Sequence, residues 1–74
     1  MTFSDAQIVE IKAKIEALET KEYERMAQVN RIIETKQALY RLLDGKDIDG
    51  TTLSDVRETA LKSNLFTKAD TLIS

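Results

Sequence analysis

The chain has 74 residues, 42% hydrophobic and 32% charged, with 11 basic and 13 acidic side chains and a net charge of −2. It contains no cysteine, histidine, proline or tryptophan. Those absences exclude a Ser–His–Asp triad, a Cys–His pair, a disulfide framework and a Cys/His zinc or haem ligand set. At this length, burial of about 25 cal/mol per Å² nearly cancels an entropy cost of about 1.5 kcal/mol per residue. Oligomerisation is the remaining common source of stability, and a homo-oligomer of two to four chains is expected. Charge is evenly spread: residues 1–44 hold 7 basic and 8 acidic groups and residues 45–74 hold 4 and 5. Neither half has the basic excess of a nucleic-acid or anionic-membrane surface. Met1-Thr2-Phe3-Ser4-Asp5 lacks the basic and apolar runs of a signal peptide, and no stretch approaches a membrane span.

Residues 1–44 predict one long amphipathic coiled-coil helix. Ser4 and Gln7 have capping-box spacing, Phe3 and Ile8 can staple the first turn, and Asp5 complements the helix dipole. No Gly or Pro interrupts the chain before Asp44-Gly45, which suits a helix end. Such a helix would be a rod about 58 Å long. Its apolar seam is Ile8, Ile11, Ile15, Leu18, then Met26, Val29, Ile33, Tyr40 and Leu43, with Ile32 and Leu39 widening the second half. The steps from Leu18 through Glu22 to Met26 are four and four, a stutter that locally unwinds a left-handed supercoil. Isoleucines at the first seam positions favour more than two strands. Glu22 and Lys36 interrupt the seam. They either snorkel out of a loose stretch or fix register and partner contacts.

Residues 45–52 predict an acidic loop containing both glycines. Asp47, Asp49, Thr51, Asp55 and Glu58 have oxygen ligands at EF-hand spacings, but Thr52 stands where the sharp turn needs glycine. Aspartate and glycine also suit turns without any ion. A short amphipathic helix is expected over 53–66, capped by Thr52 and Asp55, with Leu53, Val56 and Leu61 on its apolar face and Asn64 near its end. Residues 67–74 are expected as a tail. The whole is one all-α domain, an oligomeric helical bundle, with no catalytic set and no cofactor implied. Tyr23 and Tyr40 are interface anchors or seam residues, and Arg25, Arg31 and Arg41 form no continuous stripe.

The order of heptad helix, Gly-containing acidic loop and short amphipathic helix resembles the small tail-fibre assembly chaperones of T-even-like bacteriophages. The resemblance lies in Ile8-Val9-Glu10-Ile11-Lys12 with Ile15, in Leu42-Leu43, in the loop with Gly50, and in Thr51-Thr52-Leu53-Ser54-Asp55-Val56. The loop here differs in length and is more acidic. This likeness implies a non-enzymatic trimerisation chaperone for tail-fibre proteins, acting in the host-cell cytoplasm without catalytic residues. A shorter stretch, Ala38 to Lys46 with Thr52 to Val56, is similar to the lambda-type head–tail joining proteins, which place a β-hairpin between two helices. Two other functions remain open from the sequence. One is a phage counter-defence protein that binds a host protein or sequesters a nucleotide. The other is a virion connector or scaffolding peptide.

Overall fold

The computed structural model describes residues 3–74, and it is all-helical apart from one isolated bridge. Helix α1 spans Asp5–Glu24, a 3-10 turn follows at Met26–Gln28, α2 spans Val29–Leu43 and α3 spans Asp55–Ile73. Residues 1–2, which the expected 1–44 segment includes, lie outside the described residues.

The first turn of α1 is built as its sequence demands. The Ser4 hydroxyl accepts from the Gln7 backbone N–H at 3.2 Å, and the Ser4 N–H donates to Gln7 Oε1 at 2.8 Å. Phe3 is buried and Ile8 packs against the core, which is the staple arrangement.

The single helix expected over 1–44 is instead two helices. At Arg25 the backbone leaves helical geometry (φ −130°, ψ 72°), and α2 turns back to pack on α1. The longest dimension is therefore 34 Å rather than the length of the rod. The break falls inside the stutter. Residues 19–25 hold only polar side chains and an exposed tyrosine, so a bend there forfeits no burial. What it gains is a closed core. Ile11, Ile15 and Leu18 of α1 meet Ile32, Ala38, Leu39 and Leu42 of α2 and Leu61, Leu65, Ala69 and Leu72 of α3. The apolar area so removed from water is the main driving force of the fold.

The bend also corrects the second half of the expected seam. Helix α2 buries Ile32, Thr35, Leu39 and Leu42, a 3-4-3 stripe one position away from the predicted one. Val29, Ile33 and Leu43 are half-buried, Met26 is 79% exposed and Tyr40 is 47% exposed. The predicted stripe would have put the Lys36 ammonium into the core, at a large desolvation cost. The stripe actually used replaces that charge with Thr35.

The connection from α2 to α3 is a tight two-glycine turn. Gly45 (φ 73°) and Gly50 (φ 86°) adopt left-handed geometry that other residues rarely take. Lys46 and Thr52 form one antiparallel bridge, and the Leu53 N–H reaches Gly45 O at 2.9 Å. Leu53 is buried beneath the turn. The cap of α3 is Ser54, not Thr52, with its hydroxyl accepting from the Arg57 N–H at 3.3 Å. Nor does the helix end at 66, just past Asn64. It continues to Ile73, because Leu65, Ala69 and Leu72 extend the buried stripe of Leu61 at i, i+4, i+8 and i+11. The expected tail at 67–74 is thus helical through Ile73.

Candidate functional site

The two residues that interrupt the seam meet across the bend. Lys36 Nζ lies 2.6 Å from Glu22 Oε1, and both side chains are about one-fifth exposed. That contact raises the Lys36 ammonium above its ordinary value, with Glu19 adding in the same direction. Next to it, the Tyr40 hydroxyl donates to Glu19 Oε1 at 3.2 Å. Partial desolvation, then the bond to Glu19, push the Tyr40 phenol upward. Glu22 with Lys36, and Glu19 with Tyr40, therefore make contacts between α1 and α2 within one chain.

The acidic loop is committed to its own structure. Asp47 receives Arg57 Nε at 2.6 Å, Arg57 Nη2 at 3.2 Å and the Ile48 N–H at 2.7 Å. The Arg57 guanidinium, then the Ile48 amide, hold the Asp47 carboxyl below the usual aspartate range. Asp49 accepts from the Thr51 hydroxyl and N–H, at 2.6 and 3.0 Å, and is lowered by both. Among the described residues no three acidic side chains converge as an ion site would require. Of the residues with EF-hand spacing, Asp47, Asp49 and Thr51 make turn contacts, and Asp55 and Glu58 lie in the first turn of α3.

On the expected second-helix face, Leu53 and Leu61 are buried. Val56 is 91% exposed and belongs to no apolar face. It lies only one residue into the helix, at the solvent side of the first turn.

The surface feature with binding geometry is a groove between α2 and α3, on the side of the bundle away from α1. It encloses about 540 Å³. Ala38, Leu65 and Leu72 make its floor, and the half-exposed Ile48 closes the loop end. Arg31, Glu34 and Arg41 line the α2 wall, and Lys68 and Thr71 line the α3 wall. On α2, Arg31, Glu34, Ala38 and Arg41 follow 3-4-3 spacing, so they lie along one helix face. Arg31 to Arg41 is ten residues, or about 15 Å of helix. Among the described residues neither arginine nor Lys68 has a carboxylate within ion-pair distance. An acidic molecule thus has an uneven but net cationic rim, three positive groups against Glu34.

The opposite face of the molecule is complementary in kind. Helix α1 carries a second exposed stripe at Val9, Ala13, Glu16, Thr20 and Tyr23, also at 4-3-4-3 spacing. Tyr23 is 86% exposed, and Glu16, Glu19 and Glu24 surround it in a shallow depression.

The sequence holds the parts of the groove without announcing it. Arg31 and Arg41 are visible there, but their common wall emerges only once the phase of α2 is fixed by the bend. Lys68 falls outside the expected helix, because a helix over 53–66 leaves it in a tail. The signal for it is the continued leucine spacing, Leu61, Leu65 and Leu72, which carries α3 past residue 66. No family model matches the chain, and no curated protein and no solved structure matches it.

Proposed function

We propose that this chain is a non-enzymatic protein-binding factor, an assembly chaperone that takes an amphipathic, acidic helix of its client into the α2/α3 groove. The observation that carries this is the groove itself, an apolar floor about two helical turns long beneath three cations that, among the described residues, have no carboxylate within ion-pair distance. Helix-in-groove recognition uses an apolar stripe on the guest for affinity and flanking charges for orientation. The client class, a phage tail-fibre chain in the host cytoplasm, rests on the likeness of the Ile8–Lys12, Leu42–Leu43 and Thr51–Val56 stretches to tail-fibre chaperones. In this reading the groove, rather than a coiled-coil seam, holds the client, because Ile11, Ile15 and Leu18 lie in the chain's own core. Among the described residues, no helix is long and apolar enough to cross a membrane.

The test is co-expression of the tail-fibre chain with the wild-type protein and with an Arg31→Glu/Lys68→Glu variant. Both positions are exposed, and Glu near the start of α2 suits the helix dipole, so the variant should fold. Soluble fibre trimer should rise with the wild type and fall back with the variant. No rise with the wild type removes the chaperone reading. The same rim also suits a small amphipathic anion. If a thermal-shift screen with cyclic nucleotides raises Tm in the wild type but not in the variant, the groove belongs to a nucleotide instead. Copurification of the chain with mature virions would replace the chaperone by a structural connector.

A further inference from the structure

The groove reading leaves α1 with one stripe in the core and a second, mixed stripe of Val9, Ala13, Glu16, Thr20 and Tyr23 facing water. We infer that the outer face of α1, from Ala13 to Glu24, docks into the α2/α3 groove of a second copy of this chain. The inference rests on the groove being a helix-binding site, and it identifies an occupant already present in every solution of the protein.

Three observations carry it. The lengths agree: Ala13 to Glu24 is about 16 Å of helix, against about 15 Å from Arg31 to Arg41. The charges agree in net sign: Glu16, Glu19 and Glu24 surround Tyr23 on the guest face, with Lys21 pairing to Glu24 at 3.0 Å, while Arg31, Arg41 and Lys68 rim the host against Glu34. The chemistry agrees as well. Tyr23 is a rigid amphipathic side chain that stands 86% exposed, and the groove has an apolar floor of Ala38, Leu65 and Leu72 to receive it. Aromatic side chains of this kind are the usual anchors of such contacts.

Host and guest faces are different surfaces on opposite sides of the bundle, so the contact is head-to-tail. It does not close by a two-fold axis. It builds short runs or a ring, according to the rotation each contact imposes. A single helix in a groove is a small interface, so association is weak and depends on concentration and salt. A client helix entering the groove displaces the neighbouring copy, and self-assembly then acts as a reversible cover over the binding site.

Light scattering across a concentration series, at low and at high ionic strength, tests this. The mass should climb with concentration at low salt and fall towards the monomer at high salt. Arg31→Glu/Lys68→Glu should weaken self-association about tenfold or more, and so should Glu16→Lys/Glu24→Lys. Mixing these two variants should restore it, because each then meets an oppositely charged face. Tyr23→Ser removes the anchor from an exposed position and should also weaken it without unfolding the bundle. A constant monomer mass at low salt overturns the inference, as does an oligomer unaffected by either charge reversal. Should that monomer still protect the fibre chain through Arg31 and Lys68, self-docking fails while the groove reading stands.

Discussion

The bundle has two chain reversals, and they are made in opposite ways. The turn between α2 and α3 is specified locally. It has two glycines at positive φ, an Asp49–Thr51 turn, a one-pair bridge and a serine cap. The bend between α1 and α2 has none of these. Arg25, Met26, Ala27 and Gln28 are all acceptable in a helix, and no side chain caps the start of the 3-10 turn or of α2. That bend is held from a distance: Arg25 Nη1 donates to Leu72 O at 3.4 Å and Nη2 to Ser74 O at 2.6 Å, while Glu22 meets Lys36. One reversal is thus a property of its own residues, and the other is a property of the assembled core. Only the first kind can be read from neighbouring letters.

Variants can separate the two. The largest effect is expected at Leu39, which is fully buried in the core that holds the bend in place. Leu39→Ala should cost about 2–5 kcal/mol in denaturant unfolding. Amide exchange in this variant should accelerate more at residues 25–28 than at residues 45–52. Equal acceleration would mean that the bend has local support after all.

Gly50→Ala comes next. Nothing lies near the added methyl group, so the cost is backbone strain alone, about 1–2 kcal/mol at φ 86°. Urea unfolding should show that loss with the groove intact. A neutral result would mean that the loop re-forms around a different turn. Arg25→Ala should cost about 1 kcal/mol, by removal of partly exposed charged hydrogen bonds. It should also raise exchange at both the bend and the end of α3, since one side chain serves both. An effect confined to either place would break the coupling between them.

The smallest effect is acid sensitivity of the loop. Asp47 and Asp49 are lowered from 3.8 in the folded chain. Their contribution is therefore fully present above the unfolded value and is lost as pH falls through the folded one. Asp47→Asn should lower Tm slightly at neutral pH and should flatten the fall in Tm below about pH 4. A parallel fall in wild type and variant would exclude the Arg57 contact as its cause.

Much of the fold is legible where the signals are local. The Ser4–Gln7 cap, the Phe3–Ile8 staple, the buried Ile11, Ile15 and Leu18, and the glycine turn follow from residues a few positions apart. The bend and the phase of α2 do not. Two overlapping 3-4-3 stripes exist after residue 25, and the choice between them depends on whether Lys36 can find Glu22 outside the core. The end of α3 was hidden in a different way. Asn64 is a plausible stop when only the local helix signals are considered, and Leu65, Ala69 and Leu72 outweigh it through burial against the other two helices. Because the groove is bounded by that phase and that extension, it inherits both obscurities.

The chemistry of residues 25–28 has a kinetic consequence. A segment with no helix breaker can straighten without steric penalty once Arg25 releases the end of α3. The straightened chain is the long rod, and its exposed apolar stripes match those of another straightened chain. Intramolecular closure is favoured in dilute solution, and exchange of helices between chains gains ground as the concentration during folding rises. Refolding the same preparation dilute and concentrated, followed by light scattering at one final concentration, should then give a larger oligomer share in the concentrated sample; equal shares would mean that the bend closes before chains can exchange helices.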